Sequence, residues 1–277
     1  MNDEKGAKRI LITGAAGVVG TAIRKHLAGR YAFRLMDVKP VPDAQPGDQT
    51  VVGNVADFQD VLEATRGVVA IVHLALGSGQ RHGTDANRAQ RTIDVDIRAL
   101  YNVYEAAHVN KVGGVVFAST NHVAGLNEQD GIVARPEMPV RPDGIYGAGK
   151  AFGEALGRYY AERKGVRVHC IRIANFNGKD EPGRDYEPGM SRWLSPRDAA
   201  QLVWRCIEAA HAPFGIFYGV SRGAEKKWDL TTSREVLGYE PEDDGSLEQW
   251  RTRYRGSPST TRPGPVLEPS HPSGITS

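Results

Sequence analysis

Residues 9–20 read RILITGAAGVVG, an apolar run followed by glycines at every third position. The pattern predicts a buried strand, a tight turn and a helix over Val18–His26. Gly14, Gly17 and Gly20 suit, in turn, a sharp bend, a close approach of the backbone to a phosphate and close packing of the helix. Free N–H groups and the positive dipole end at the start of that helix favour an anion. The stretch therefore predicts a site for a pyrophosphate.

An acid downstream separates this pattern from an ordinary strand-to-helix turn, which a glycine triplet alone also fits. A second apolar stretch, Tyr31–Met36, ends in Asp37, seventeen residues after Gly20. In a dinucleotide-binding fold an acid at this point accepts the ribose hydroxyls and repels a 2′-phosphate. Asp37 therefore predicts NAD rather than NADP, with Lys39 close enough to keep NADP as the alternative.

The composition is that of a globular chain whose partners are small molecules. The 277 residues are 40% hydrophobic, and 35 basic against 33 acidic side chains leave a formal net charge of +2. Such a balance provides no field for nucleic acid or anionic lipid. No stretch approaches the ~20 apolar residues of a membrane span, and residues 1–9 are charged, so we expect a cytoplasmic location. Cys170 and Cys206 lie in apolar contexts and are predicted to be buried free thiols, with no metal-ligand spacing in the sequence.

Apolar runs alternate with helical patterns along the rest of the chain, which is typical of an α/β fold with a doubly wound parallel sheet. Further strands are predicted at Thr50–Val52, Val68–Leu76, Val112–Ala118, Val166–Ile173 and Gly215–Gly219. Further helices are predicted at Asp57–Thr65, Thr92–His108, Pro196–Ala210 and Leu230–Leu237, with loops at Gly79–Gln90 and Asn127–Asp143. We expect one domain over residues 1–255, with an NAD-binding core at about 8–175, a substrate-binding part at about 176–255 and a disordered tail at 256–277.

Local patterns predict several packing roles. The helix over 92–108 is amphipathic, and its apolar stripe comprises Ile93, Ile97, Leu100, Val103 and Tyr104. Ser195 is predicted to cap the helix over 196–210, with Asp198 in its first turn beside the dipole. His73 lies inside an apolar strand and is predicted to be a core residue without a catalytic role.

The carboxyl ends of parallel strands share one edge of the sheet, where ligands bind. Ser119, Thr120, Asn121 and His122 place four hydrogen-bonding side chains in succession at such an end, which makes them catalytic candidates. Asn54 follows the third strand, beside the expected adenine. It either accepts a hydrogen bond from the adenine amine or caps the next helix, and both interpretations stay open.

Residues 144–158, GIYGAGKAFGEALGR, hold the second important pattern. Tyr146 and Lys150 are four residues apart, so one face of a helix carries both. Such a pair is also common on helix surfaces. Here it follows a nucleotide-binding half and a strand with a Ser-Thr tip, and together these supply the parts needed to move a hydride and a proton.

Together the motifs resemble the extended short-chain dehydrogenase/reductase superfamily, of the NAD-dependent epimerase/dehydratase type, over about residues 8–250. The resemblance rests on TGAAGVVG, Asp37, FASTNHVAG and YGAGK. Within the superfamily, FASTNH, RPDGIYGAGKAFGE and RIAN followed by WLSPRD are similar to uronate dehydrogenases and related NAD-dependent sugar dehydrogenases. The resemblance implies a Rossmann fold and oxidation of the C1 hydroxyl of a monosaccharide (hexuronate, hexose or hexose phosphate) to a lactone, with NAD as cofactor.

The resemblance also implies residue roles. Tyr146 is the expected general base, Lys150 lowers the pKa of its phenol and holds the nicotinamide ribose, and Thr120 orients the substrate hydroxyl. The expected cofactor contacts are Gly14, Gly17, Val18, Val19, Gly20, Asp37, Asn54, Val55, Leu74, Ala75, Leu76, Tyr146 and Lys150. The expected sugar contacts are Ser78, Thr120, Asn121, His122, Asn175 and Arg184, the last of which pairs with a carboxylate or phosphate. A homo-oligomer, dimer or larger, through the helices that hold Thr92 and Tyr146 is common in the superfamily.

Three positions depart from the superfamily pattern. The family often has Asp where Asn54 stands, which weakens the adenine contact. It often has Asn where Asp96 stands, which leaves the hydrogen-bond support of the active-site strands open. Many uronate enzymes have Ser where Asn175 stands, in a region where Lys179 and Arg192 are further possible anion contacts.

Two rival functions remain: a nucleotide-sugar epimerase or dehydratase on the same fold, and a non-catalytic NAD-binding regulator. Dehydratases typically need an Asp-Glu pair after the catalytic Thr, where this chain has Asn121 and His122. Epimerases usually carry a larger C-terminal domain than the roughly 105 residues between Lys150 and the predicted tail. A regulator is expected to lose the Tyr or the Lys, and both are present.

Overall fold

A parallel sheet of seven strands runs through the chain in the order β3-β2-β1-β4-β5-β6-β7. The computed structural model describes residues 8–77, 85–182, 192–223 and 227–246, with Glu248 and Thr252. The strands are β1 Arg9–Thr13, β2 Ala32–Asp37, β3 Gln49–Val52, β4 Ala70–His73, β5 Gly114–Thr120, β6 Arg167–Ile173 and β7 Phe214–Gly219. The order reverses at β1, which pairs with both β2 and β4. A doubly wound sheet binds its ligand at that reversal, and the predicted α/β Rossmann fold is confirmed.

Helices cover both faces of the sheet. They are α1 Val18–His26, α2 Phe58–Ala64, α3 Asp85–Arg91, α4 Arg98–Val109, α5 Gly125–Gln129, α6 Ile145–Lys164, α7 Pro196–Glu208 and α8 Thr231–Leu237, and a π-helical segment, Thr92–Ile97, joins α3 to α4. α1 and α7 share one apolar core with the sheet, and α2, α4 and α6 share the other.

β1 shows why an unbroken apolar run becomes a central strand. Side chains alternate between the two faces of a strand. Ile10 and Ile12 belong to the core under α1 and α7, whereas Leu11 belongs to the core on the opposite face. All three side chains are fully buried. A strand covered on both faces is mostly apolar, which explains the run.

The predicted glycine turn follows β1. Gly14 adopts a φ of +70°, and a Cβ there would lie 2.7 Å from the backbone nitrogen of Ala75, at the end of β4. At Gly20 a Cβ would lie 2.8 Å from the Gly14 carbonyl oxygen. Gly14 is needed for its backbone conformation. Gly20 is needed because the absence of a side chain lets α1 approach the turn.

The helix that precedes β5 begins earlier and is less regular than the sequence predicts. α3 covers residues 85–91, most of which the sequence predicts as the end of the loop at 79–90. The π segment then widens the helical turn, so a spacing of 3.6 residues no longer holds. Ile93, which that spacing places on the apolar stripe, is 50% exposed, while Leu100, Val103 and Tyr104 are buried as predicted.

The sheet continues beyond the predicted NAD-binding core. β7 pairs with β6 over its whole length, and α7 packs against α1. Residues of the predicted substrate-binding part therefore also complete the nucleotide-binding fold. A further apolar cluster joins Trp228 and Leu230 to Ala124 and Ala134. The predicted tail, 256–277, lies outside the described residues.

Two capping predictions have different outcomes. Ser195 caps α7 as predicted, because its Oγ accepts from the backbone N–H of Asp198 at 3.0 Å. Asp198 lies in the first turn of α7 as predicted, but it also accepts hydrogen bonds from outside the helix. It is fully buried and accepts from the Ser221 hydroxyl at 2.6 Å and from the Glu242 N–H at 2.7 Å. This carboxylate therefore ties α7 to the chain after β7.

Other predicted core residues are confirmed. His73 is 2% exposed, and its Nδ1 lies 2.8 Å from the Thr13 hydroxyl. Burial lowers the pKa of His73 to about 3, so the ring is neutral. Cys170 and Cys206 are buried free thiols. None of the helices in the described part of the chain has the length and hydropathy of a membrane span.

Candidate active site

A cleft lies at the carboxyl ends of the central strands and brings many of the predicted residues together. Its wall contains Val19, Leu74, Leu76, Thr120, Asn121, His122, Tyr146, Lys150 and Asn175. Ile173, Phe176, Asn177 and Trp193 also line it and were not predicted. Two predicted sugar contacts, Ser78 and Arg184, lie outside the described residues.

The first turn of α6 presents Tyr146 and Lys150 to this cleft, as their spacing predicts. The Lys150 side chain is nearly buried, with 4% exposed. Its Nζ donates to the Ala118 carbonyl oxygen at 2.7 Å and lies 5.7 Å from the centre of the Tyr146 ring. The ammonium thus reaches from the helix to the end of β5, beneath the phenol.

Burial shifts the pKa values of these two side chains in opposite directions. It raises the pKa of Tyr146 to about 12, with a further contribution from the negative charge of Asp96, while a hydrogen bond with Thr120 acts the other way. It lowers the pKa of Lys150 to about 8, against the field of Asp96. The lowered phenol pKa that the resemblance implies is therefore absent from the protein alone, because desolvation dominates.

Thr120 lies at the end of β5, which runs two residues further than the sequence predicts. The side chain is buried, and its Oγ1 accepts from the backbone N–H of His122 at 3.3 Å. This bond caps the short 3₁₀ turn that follows the strand. The turn fixes the hydroxyl at the edge of the sheet, next to Tyr146.

His122 and Asp143 form a pair at the mouth of the cleft. The His122 Nδ1 lies 2.8 Å from Asp143 Oδ2, and its ring meets the Tyr146 ring edge-on at 6.1 Å between centres. Asp143 ends the loop that the sequence predicts at Asn127–Asp143. Since the carboxylate holds Nδ1, Nε2 is the nitrogen left for a ligand.

Asn121 is held by an acid that sequence reasoning missed. Its Nδ2 donates to Glu128 at 3.1 Å, and the same carboxylate accepts from Trp228 Nε1 at 2.8 Å. Arg192 approaches Glu128 at 3.6 Å. Glu128 lies on α5, inside the predicted loop at 127–143, and its partner Trp228 is 100 residues away. No local pattern could have indicated this contact.

An isolated β-bridge holds the backbone of Asn175 at the wall of the cleft. Its N–H donates to the Arg192 carbonyl at 2.6 Å, and its own carbonyl accepts from Leu194 at 2.9 Å. The bridge places Trp193 opposite Asn175. The two segments thereby form one side of the cleft, beyond the end of β6.

The adenosine side of the predicted site lies across β1 from the cleft. Asp37 ends β2, and its Oδ2 accepts from the Ala16 N–H at 3.0 Å. Asn54 Oδ1 accepts from the Ala56 N–H at 3.0 Å, while Asp57 rather than Asn54 caps α2. The structure thus favours a turn role for Asn54, although it does not cap the helix.

One turn after Lys150 on α6, Glu154 forms a buried ion pair with Arg172 on β6. Glu154 accepts from Arg172 Nη2 at 2.8 Å and from Nε at 2.9 Å. Ser119 donates to the same carboxylate at 2.7 Å, and Arg172 also donates to the Tyr218 hydroxyl at 3.1 Å. The pairing raises the pKa of Arg172 despite its burial. The bond to Glu154 fixes Ser119, which directly precedes Thr120 in β5.

Comparison with known families decides the relationship. The model of the NAD dependent epimerase/dehydratase family matches residues 10–197. The chain belongs to this family.

Several of its relatives are sugar dehydrogenases. The chain is 35% identical to the NAD-dependent glucose-6-phosphate dehydrogenase of Haloferax volcanii, over 86% of this chain and 94% of that protein. It is 33% identical to the uronate dehydrogenase of Pseudomonas putida, over 94% and 92%. A variant of the Agrobacterium tumefaciens uronate dehydrogenase complexed with NAD has a TM-score of 0.77 at 30% identity, over 94% and 93%. The predicted oxidoreductase class and the NAD cofactor are thereby confirmed.

The residues present fit the cofactor of the epimerase/dehydratase family. None of the described side chains caps the N-terminus of α1, and the first turn of this helix contains no acid. The N–H groups there are left for an anion. A Cβ at Gly17 would lie 3.1 Å from the Gly14 carbonyl oxygen, a tight contact that a glycine avoids. Among the described residues there is no group of metal-ligating side chains.

Proposed function

We propose that the chain oxidises the C1 hydroxyl of a monosaccharide, a hexuronate, hexose or hexose phosphate, to the lactone, with Tyr146 as the base. The observation that carries this proposal is the position of Tyr146, Lys150 and Thr120 in one cleft, next to the reversal point of the sheet. The sugar substrates named for the relatives support the choice of a monosaccharide.

The proposed step moves one proton and one hydride. Tyr146 takes the proton of the C1 hydroxyl, which Thr120 orients, and the remaining electron pair closes the C1 carbonyl of the lactone as the C1 hydride leaves. Oxidised NAD, when bound, accepts that hydride and adds positive charge beside the phenol. Lys150 holds the nicotinamide ribose in this proposal. With a phenol pKa of about 12 in the protein alone, Tyr146 depends on added positive charge to work near neutral pH.

Polar side chains of the cleft supply the proposed sugar contacts. Asn121, His122 and Asn175 offer amide and imidazole groups, and Glu128 and Asp143 hold the first two in place. Ser78 and Arg184 complete the proposed set, with Arg184 on the carboxylate or phosphate of the sugar. Asp37 is proposed to bind the adenosine ribose and to favour NAD over NADP.

A substrate panel tests this function. Aldoses, uronates and sugar phosphates are each offered with NAD and with NADP, and NADH or NADPH formation is followed by absorbance. We expect NADH from at least one of these sugars and a higher kcat/KM with NAD than with NADP. A purified protein that retains NAD and converts nucleotide sugars without forming NADH would instead be an epimerase. A higher kcat/KM with NADP would contradict the role of Asp37.

The proposal includes a homo-oligomer, a dimer or larger, in the cytoplasm. α4 and α6 expose large apolar side chains, and Ile145, Phe152 and Tyr159 recur every seventh residue on α6, with Tyr101 on α4. Such a stripe is suited to a second copy of the same helix pair. The two buried free thiols agree with a reducing compartment. Sedimentation velocity tests the assembly, and a monomer at micromolar concentration would contradict it.

A further inference from the structure

Asp96 is a buried acid with only one oxygen in a hydrogen bond. The residue is 6% exposed. Its Oδ1 accepts from the backbone N–H of Gly77 at 2.6 Å. Its Oδ2 is buried and has no hydrogen-bond partner in the part of the chain that the structure describes. A buried carboxylate oxygen without a partner is costly, so its retention calls for a physical reason.

The position of Asp96 indicates that reason. It belongs to the π segment, and such segments occur often at functional sites. The segment packs tightly on α6, because a Cβ at Gly149 would lie 2.6 Å from Thr92 Cγ2. Gly149 directly precedes Lys150. The acid is therefore placed against the turn of α6 that holds the proposed base.

Asp96 also anchors the segment that follows β4. Gly77 ends the described part of this segment, whose Leu74 and Leu76 line the cleft. A Cβ at Gly77 would lie 2.5 Å from the Cβ of Val95, so the loop packs directly on the π segment. One carboxylate thus contacts the wall of the cleft through one oxygen and has the other oxygen free.

Two titratable groups face this carboxylate from α6. Its negative charge raises the pKa of Tyr146 and raises that of Lys150. From the segment after β4 it meets the Gly77 N–H, which together with Lys150 favours the ionised acid against burial. On its own segment the nearest acid, Asp94, is exposed and accepts from the Gln90 amide.

We propose that Asp96 is a positioning residue that holds the Gly77 segment in place and, through its charge, sets the pH range in which Tyr146 and Lys150 work. The part that concerns Tyr146 as a base rests on the proposed function. The effect on Lys150 does not depend on any reaction.

Asp96→Asn separates the effect of the negative charge from that of the hydrogen bond to Gly77. The amide oxygen can still accept from the Gly77 N–H, while the negative charge is lost. Removal of that charge lowers the pKa of Tyr146. We expect the acid-side limb of the kcat/KM profile to move to lower pH by on the order of one pH unit. Asp94→Asn, two residues away on the same segment, is the matched control and leaves the limb in place. A profile that keeps its shape while activity falls at every pH would show a merely structural role and overturn the proposal.

A titration of Lys150 tests the same charge without turnover. The lysine side chains are labelled with ¹³C at Cε, and the Lys150 signal is assigned by its loss in Lys150→Arg. In the unchanged protein we expect a pKa of about 8. Asp96→Asn lowers that pKa by on the order of one pH unit, and Asp94→Asn does not change it.

The outcomes of this titration are distinct from those of the substrate panel. A Lys150 pKa that is the same with and without Asp96→Asn overturns the proposal, even if the panel finds a sugar. A lowered Lys150 pKa in a protein that oxidises no sugar leaves the electrostatic role intact and contradicts only the proposed function. If Asp96→Asn does not fold, Asp96→Ser provides a second neutral side chain for the same titration.

Discussion

Two buried charged groups, Lys150 and Glu154, lie one turn apart on α6 and differ in how their charges are paired. Glu154 and Arg172 are almost completely buried, and each carboxylate oxygen accepts from the guanidinium. Lys150 is equally buried, but no carboxylate lies within ion-pair distance of its ammonium among the described residues, and a backbone carbonyl accepts its hydrogen bond. Removal of one partner of a buried ion pair is costly to the fold, whereas a buried charge without a carboxylate partner is open to a ligand.

The pKa values record the same difference. Pairing raises the pKa of Arg172, although burial acts to lower it. Burial without a close partner lowers the pKa of Lys150 to about 8. Burial acts to lower the pKa of both basic side chains. The presence or absence of a close carboxylate therefore decides the direction of the net pKa shift. Substitutions at the two sites should accordingly separate loss of activity from loss of stability.

Tyr146→Phe gives the largest expected effect and acts only on activity. The phenol is the proposed base, and loss of a general base lowers kcat/KM by about 10²- to 10⁴-fold. Removal of one buried hydroxyl leaves the melting temperature within a few degrees of that of the unchanged protein. Steady-state kinetics and calorimetry measure both quantities, and NAD binding is the control for an intact site. Retention of a tenth or more of the activity would exclude Tyr146 as the base.

Arg172→Met has the opposite profile. It leaves Glu154 buried without its cation, so we expect the free energy of unfolding to fall by about 3–5 kcal/mol. The matched control adds Glu154→Leu, which removes the second charge and restores most of the stability. Urea unfolding followed by circular dichroism compares the three proteins. If the double variant is as unstable as Arg172→Met, the unpaired charge is not the cause.

A third buried group, His73, sharpens the comparison through pH. Its pKa is about 3 in the fold and about 6.5 in an unfolded chain, so protons bind preferentially to the unfolded state between these values. The stability present above about pH 6.5 is therefore lost as the pH falls toward 3. His73→Gln cannot titrate, and from pH 6.5 to 4.5 it should avoid a loss on the order of 2–3 kcal/mol. Urea unfolding at both pH values checks this, with His26→Gln on the surface as control.

Ser195→Ala gives the smallest expected effect. The hydroxyl caps α7, outside the wall of the cleft, and also donates to Asp243 at 2.6 Å, so its loss lowers the free energy of unfolding by about 2 kcal/mol. Activity at saturating substrate stays within about twofold. Ser195→Gly loses the same two bonds but tolerates the capping conformation, so it should lower the stability by less than Ser195→Ala does. Urea unfolding of both variants checks this order, and a greater loss for the glycine variant would contradict a capping role.

Local patterns were enough to predict the glycine turn, the pair on α6 and the polar end of β5. Each of these depends on residues within one strand or one helical turn, so spacing alone indicates it. Glu128 and Asp143 escaped because their partners come from other elements. Asp96 was noticed only as a departure from the family pattern, since its bond to Gly77 spans 19 residues. The π segment was missed because periodicity assumes a constant helical turn.

The pairing of β1 with β4 has a consequence for how the chain reaches its native state. Ile10 on β1 lies beside Ala70 on β4, and the cleft at the carboxyl ends of the central strands also needs side chains of α6, which begins only at Ile145. A nascent chain that has not yet emerged past α6 lacks Tyr146 and Lys150 and the part of the cleft wall that Asn175 and Trp193 form. Recovery of NAD binding during refolding should therefore coincide with completion of the whole sheet, because distant pairings form slowly.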